Sequence, residues 1–437
     1  MERVVSFFGL FVMIGLAWLM SSHKSKVSWR VVGGGLLLQF AFALLILKAP
    51  GGTWVFDQLG LLFNEVLKAI GKGAGFLFNV YPDKGEEEGF PPPYTMMRSL
   101  ALKILPTIIV FSSMMSILYY LGVMQRVVGA LAWLMRRTLG TSGAETLSAA
   151  ANVFVGQTEA PLVIRPYVPT MTLSELMVVM VGGFATIAGG VLGLYVGMLG
   201  PEYAGHLLTA SVISAPAALL IAKVMQPEVD LAGTSDAGPG ETPPPDKPAA
   251  GPTAASDLDP QLPANVLEAA AEGASAGMKL ALNVAAMLIT FVALVAMLNG
   301  VVGWAGALCG FTGDSAWTME KAFGYAFAPL AWAMGIEAAD CNAAGVMLGE
   351  KMVLNEFIAY FSLSEAAKAG TMSERSVTIM TYALCGFANF SSIGIQLGGI
   401  GGIAPERRGD LARLGLRAML GGTLAAFMTA CIAGILL

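Results

Sequence analysis

Apolar runs long enough to cross a bilayer recur along this chain, and nothing else in the sequence constrains its fold as strongly. Val4 to Met20, Val31 to Leu47, Ile104 to Val123, Leu176 to Leu199, Leu280 to Leu298 and Ala418 to Leu437 stand out. Each is near the roughly twenty residues that cover about 30 Å of hydrocarbon. No water is available there to satisfy main-chain groups, so spanning segments must bond internally. The expected class is an all-α polytopic membrane protein. A charged fraction of 13%, about half that of a soluble domain, excludes a soluble enzyme. The net charge of -5 suggests neither a nucleic-acid partner nor a basic membrane-surface protein. Cys309, Cys341, Cys385 and Cys431 lack the spacing of a metal site and read as small core residues. His23 and His206 are the only histidines and neither has a second His or a Cys near it in sequence, which argues against a metalloenzyme.

His23, Lys24, Lys26 and Arg30 separate the first two runs, and such basic clustering in a short loop marks the cytoplasmic side. The first run is followed by no cleavage site, so it reads as a retained helix rather than a signal peptide. Arg126, Arg136 and Arg137 then fall inside by alternation, and Arg407, Arg408, Arg413 and Arg417 precede the last span. Both termini are expected outside, in the plasma (inner) membrane. Trp54 to Phe78 has helical apolar spacing interrupted by Asp57, Glu65, Lys68 and Lys72, which suits a helix lying in the interface. Pro82 to Pro93 reads as an outer loop. Residues 227 to 263 hold nine prolines and seven acids, a composition with too little apolar surface to offset ordering entropy. This flexible linker divides the chain. The expected organisation is 1–98 N-terminal helices with the interfacial helix, a scaffold; 99–226 and 264–437 the two halves of a transport unit; and 227–263 the tether. The second half is expected to resume at Val266 with an amphipathic helix ahead of the Leu280 to Leu298 span.

Two polar islands break the apolar pattern. Asn152-Val153-Phe154-Val155-Gly156-Gln157-Thr158-Glu159-Ala160-Pro161 has flanks too short to span alone, and it predicts two half-helices meeting at a re-entrant turn whose main chain lines a cavity. The following span is interrupted at Thr186-Ile187-Ala188-Gly189-Gly190. Leu354-Asn355-Glu356-Phe357 is the second island, entered through Glu337, Asp340 and Asn342, and it too precedes a broken span at Cys385 to Gly394. Paired interruptions in corresponding positions point to a transporter built from repeats, with its substrate at the midplane. Each feature also has a plainer reading. A lone Glu159 or Glu356 could lie at headgroup level, the Asn, Ser and Thr residues could be interhelical glue, and Phe387 could be packing alone.

At these residues the sequence resembles the concentrative nucleoside transporter family. The resemblance is carried by Gly156-Gln157-Thr158-Glu159-Ala160-Pro161-Leu162 with Ile164-Arg165-Pro166-Tyr167, by Gly183-Phe184-Ala185-Thr186-Ile187-Ala188-Gly189, by Leu354-Asn355-Glu356-Phe357-Ile358-Ala359-Tyr360, and by Ala383 to Gly394. It runs from about residue 100 to the C-terminus; the first 95 residues and the linker are similar in pattern only. The resemblance implies a homotrimer of eight-helix protomers, each with two re-entrant hairpins, an interfacial helix and an inverted-repeat transport domain moving against a fixed scaffold. It implies that Gln157, Thr158 and Glu159 meet the nucleobase, that Glu356, Asn389 and Ser392 hold the ribose, and that Val191 and Phe387 supply apolar contact. A sodium site would use the side chains of Asn152 and Thr186 and the carbonyls of Val155 and Ile187.

The residue chemistry agrees. A carboxylate accepts two hydroxyl hydrogen bonds, and Gln offers both donor and acceptor to a base edge. Unwound carbonyls suit sodium, and an ion that stabilises the first hairpin would raise nucleoside affinity by linkage. The expected function is sodium-coupled nucleoside symport into the cell by alternating access, with no cofactor beyond the coupling ion. A proton-coupled nucleoside carrier using Glu159 or Glu356 ranks second. A membrane-embedded hydrolase with two carboxylates as acid and base ranks lower, for want of a nucleophile with a neighbouring His, and a passive channel would need continuous pore-lining polarity.

Overall fold

The computed structural model describes residues 2–48, 100–165, 167–229, 263–313 and 316–437, with scattered positions between 58 and 77. The described positions within Trp54 to Phe78 are helical; the rest of that stretch, the loop Pro82 to Pro93 and nearly all of the linker lie outside the described residues. No strand occurs among the described residues. The helices are α1 (Glu2–Leu19), α2 (Trp29–Leu47), α3 (Leu100–Tyr120), α4 (Val123–Leu139), α5 (Gly143–Ala151), α6 (Ala160–Val163), α7 (Leu173–Ala185), α8 (Gly189–Leu199) and α9 (Ala204–Met225). After the linker come α10 (Val266–Leu308), α11 (Met319–Ala333), α12 (Cys341–Val353), α13 (Glu356–Ala369), α14 (Glu374–Ala383), α15 (Phe390–Ile403) and α16 (Arg408–Leu436).

Local chemistry sets the boundaries. Ser142 and Thr172 open α5 and α7 with capping boxes to Glu145 and Glu175, each satisfying otherwise orphaned N–H groups at a helix start. Asn355, Ser373 and Asn389 cap α13, α14 and α15 through their side chains, the role these residue types fill best. Gly122 at φ +72° ends α3, and α4 leaves at 77° to it. Among the described residues four segments are long and apolar enough to span singly, at Glu2–Leu19, Trp29–Leu47, Pro201–Met225 and Pro405–Leu436. The apolar run from Leu176 is split as expected, into α7 and α8.

Two expectations change. The amphipathic start at Val266 and the span from Leu280 are one helix, 43 residues long, because Asn265 caps its start and no proline interrupts it. Of the four cysteines only three are buried; Cys309 is exposed at the end of α10, where the chain leaves the helix bundle.

The order interfacial-type helix, hairpin, broken helix, helix occurs twice: α4, α5–α6, α7/α8, α9 and again α11, α12–α13, α14/α15, α16. The partners of α16 show that the two sets run in opposite senses. Beside hairpin 1, Glu145 Oε2 lies 2.7 Å from Lys223 Nζ near the end of α9. Ser174 of α7 donates to the Gln226 carbonyl at 2.7 Å, and Arg417, toward the start of α16, donates to Gln226 Oε1 at 3.2 Å. Beside hairpin 2, Ser373 N donates to Asp340 Oδ2 at 3.1 Å while Arg375 donates to the carbonyl of Gly434, at the far end of α16. The hairpin bases therefore sit at opposite ends of one helix. Packing sorts the remaining helices: α3 lies along α10, α1 along α16, and α2 along α9. Most side chains of α7, α9 and α16 are buried, so the core surrounds the two helix breaks.

Candidate functional site

The two broken helices touch at their breaks. Gly386, between α14 and α15, has φ +129°, and a Cβ there would fall 2.6 Å from the Phe184 carbonyl oxygen and 2.9 Å from the carbonyl carbon of Ala185. Only glycine combines that left-handed conformation with so close an approach of main chain to main chain. The turn of hairpin 1 joins the same crossing, for the Gly189 N–H donates to the Phe154 carbonyl at 2.8 Å. Main chain from three irregular segments is thus brought into contact, where it can face a ligand.

Glu356, the first residue of α13, is buried with 7% of its surface exposed. Tyr195 of α8 donates to its Oε1 at 2.9 Å and Asn389 donates to its Oε2 at 3.0 Å. Each carboxylate oxygen keeps lone-pair capacity for a further donor. Asn389 Oδ1 is fully used, accepting from the Ser392 N–H at 2.9 Å and the Ser391 hydroxyl at 2.7 Å. Ser392 is buried beside it. Tyr195 stacks on Tyr360 with ring centroids 4.3 Å apart, and the Tyr360 hydroxyl is anchored on the Thr381 carbonyl at 2.7 Å. The carboxylate is therefore held by α8, α13 and α15 together.

Asn152 ends α5 with no exposed surface. Its Nδ2 donates to the Ser148 carbonyl at 3.1 Å; a carbonyl can only accept, so Oδ1 must face the other way. That buried oxygen has no hydrogen-bond partner. A desolvated acceptor without a donor is costly, and a small cation would satisfy it. Thr186, at the α7 end, is buried and donates to the Gly182 carbonyl at 2.9 Å, which leaves its own lone pairs open. Both residues adjoin Gly182, where a Cβ would meet Asn152 Nδ2 at 3.1 Å. Among the described residues no hydrogen bond ends on the Val155 or Ile187 carbonyls. The four members of the expected sodium set thus fit a hard cation in donor chemistry.

The other expected residues fall as follows. Gln157 is buried and its Oε1 accepts from Gln396 at 3.1 Å. Thr158 is half-buried and packs on α15, with Cγ2 2.8 Å from where a Gly399 Cβ would stand. Glu159 is exposed and folds back over Gly156, leaving 2.2 Å to a Cβ there. Val191 is buried and Phe387 half-buried. The structure brings Glu356, Asn389 and Ser392 into one hydrogen-bonded cluster; it does not bond Glu159 to any of them.

Three residues escaped the sequence reading. Tyr195 supplies half of the carboxylate's support. Lys351, with 1% of its surface exposed, donates to the Ala383 carbonyl at the end of α14 at 2.9 Å. Gln396, fully buried in α15, donates to both Gln157 and the Met180 carbonyl. Lys351 and Gln396 carried a usable signal, since a cation or amide inside an apolar helix needs a reason to be there. Tyr195 carried none, because an aromatic in an apolar run is usually packing.

Comparison with known proteins fits this arrangement. Residues 206–434 match the model of the Na+ dependent nucleoside transporter C-terminus, residues 8–80 that of its N-terminus, and residues 101–202 one for nucleoside recognition. Likeness to the family therefore begins near the N-terminus, not at residue 100 as the motifs alone had it, because loosely specified apolar helices carry few legible motifs. An uncharacterized transporter of Haemophilus influenzae is 44% identical over 100% of this chain and 98% of its own. The rat sodium/nucleoside cotransporter 1 is 41% identical over 100% of this chain, which spans 64% of the rat protein's length. Among solved structures, CNTnw in an inward-facing, substrate-bound state is 38% identical with a TM-score of 0.86, covering 100% of this chain and 98% of that one. A CNTnw variant in an outward-facing state gives 37% and 0.85, with the same coverage. These relatives are transporters rather than enzymes, and this chain belongs to the Na+-dependent, concentrative nucleoside transporter family.

Proposed function

We propose that this protein carries nucleosides into the cell by sodium-coupled symport, alternating between outward- and inward-open states in the plasma (inner) membrane. One observation carries the reading: two helix breaks and a hairpin turn come together, hairpin 1 bringing the buried, unpartnered Asn152 Oδ1 and hairpin 2 the Glu356 carboxylate held by Tyr195 and Asn389. Asn152 and Thr186, with the carbonyls of Val155 and Ile187, take the ion. Glu356 accepts ribose hydroxyls, with Asn389 and Ser392 beside it. Gln157, Thr158 and Glu159 meet the base, and Val191 and Phe387 pack against the ligand. Ion binding fixes the hairpin 1 turn, and a turn already fixed costs the nucleoside less to engage, so each ligand raises affinity for the other.

The protein works as a homotrimer with both termini outside. The α3–α10 pair forms the fixed part in this reading. Helices α1 and α2 lie along α16 and α9, which supports moving them from the scaffold to the mobile part. The division of the chain by the 227–263 tether is retained.

Purified protein in liposomes, given labelled uridine or adenosine under an imposed sodium or proton gradient, tests the function. Accumulation driven by sodium and abolished by its removal is expected. Uptake driven equally well by protons alone would overturn the sodium assignment, and no accumulation of any nucleoside would overturn the substrate class.

A further inference from the structure

The geometry points to Gln396 as a positioning residue that sets which half of the Gln157 carboxamide faces the nucleobase, and through it selects oxo over amino bases. The inference deepens the proposed function and rests on its placing Gln157 against the base.

The argument is one of donors and acceptors. The Met180 main-chain carbonyl can only accept, and the Gln396 amide nitrogen stands 3.0 Å from it. Turning that amide over would set two acceptors against each other, so Nε2 of Gln396 is fixed on the Met180 side. Its second N–H reaches Gln157 at 3.1 Å, and the atom that receives it must be Oε1. Turning Gln157 over would set two donors against each other. The orientation of Gln157 therefore follows from a carbonyl on α7, and its NH2 group is left as the half directed elsewhere.

Packing holds the pair in place. Gln396 is fully buried and Gln157 keeps only 7% of its surface exposed. A Cβ on Gly183 would fall 2.7 Å from Gln396 Nε2 and 2.8 Å from the Gln157 Cβ. The missing side chain at 183 is the space in which both glutamines meet α7, so neither can swing away without losing that contact.

An NH2 group seeks an acceptor. With the ribose held at Glu356, the base edge farthest from the sugar is the C4 position of a pyrimidine or the C6 position of a purine. Uridine and inosine carry a carbonyl there; cytidine and adenosine carry an amino group, which would confront the Gln157 amide donor to donor. One neutral hydrogen bond is worth about two- to tenfold in affinity.

Competition against labelled uridine uptake in sodium-driven proteoliposomes reads this directly. In wild type, uridine should compete about two- to tenfold better than cytidine, and inosine better than adenosine by a similar factor. Gln396→Leu unlocks Gln157, which can then offer Oε1 to an amine, so both ratios should fall to near one, chiefly through improved cytidine and adenosine. Gln396→Glu has no amide donor; a neutral carboxyl spends its one O–H on the Met180 carbonyl and then accepts from Gln157 Nε2, as an ionised one also does, so the ratios should invert. The sodium concentration for half-maximal uptake should stay unchanged in both variants, which separates loss of orientation from loss of fold. Should Gln396→Leu fail to fold, the inversion in Gln396→Glu carries the test alone. A wild type that transports but shows no preference, or prefers cytidine, overturns the orientation inference and leaves the proposed function standing; so do variants that keep the wild-type ratios. Absence of uptake for every nucleoside overturns both.

Discussion

Hairpins 1 and 2 occupy equivalent places in the repeat and are built to opposite ends. At the tip of hairpin 2 the carboxylate is held by protein: Glu356 accepts from Tyr195 of α8 and from Asn389, which caps the neighbouring α15. In hairpin 1 the polar groups are left wanting, with Asn152 Oδ1 unpartnered and Glu159 exposed, and the neighbouring α8 starts after Ala188 with no side-chain cap. The second repeat has matched its donors to a fixed carboxyl group. The first presents free oxygens. Under the proposed function a duplicated architecture divides labour, one copy taking hydroxyl donors and the other a cation, because the helix break is common to both and the side chains at it differ.

Glu356→Gln strikes the satisfied side and should have the largest effect. Replacing the acceptor of a ribose hydroxyl removes a charge-assisted hydrogen bond, about ten- to a hundredfold in uridine affinity. Most of the wild-type discrimination against 3'-deoxyuridine should vanish with it, measured by equilibrium binding at saturating sodium. If the variant still distinguishes the two ligands as strongly as wild type, hairpin 2 does not read the sugar and the contrast between the hairpins collapses.

Asn152→Ala combined with Thr186→Val strikes the unsatisfied side. The sodium concentration for half-maximal uptake should rise several-fold, with nucleoside affinity recovered once sodium is saturating, since linkage transmits the defect only through ion occupancy. An unchanged sodium dependence in a folded double variant would remove the cation from hairpin 1.

Glu159→Gln sharpens the comparison further. Glu159 is exposed, and solvent screens its charge, so the loss should be smaller than at Glu356, about two- to fivefold in either uridine or sodium affinity. A loss as large as that of Glu356→Gln would mean that Glu159 is drawn into a dry site during the transport cycle.

Much of this was legible beforehand for stated reasons. Apolar length fixed the membrane class, and Gly, Pro, Asn and Glu interrupting apolar runs located both hairpins and both breaks, because lipid tolerates irregular main chain only around a cavity. Asn355 and Asn389 were readable as polar residues, yet their capping roles depend on where each helix restarts. The 43-residue α10 was misread as two elements, since a change from amphipathic to fully apolar faces looks like a boundary when it marks only a change of surroundings.

What the sequence determined by itself was the class of fold and the residues at the breaks, which follow from local composition and spacing; the kind of ligand came from the resemblance its motifs carry. Only the tertiary structure decided which of those residues meet. Gly386 lies against Phe184, Tyr195 supports Glu356 across 161 residues of chain, and Gln396 orients Gln157 across 239. A single carboxamide written in a sequence offers a donor and an acceptor alike. Its neighbours in space use up one of them, and only then does the residue acquire a direction.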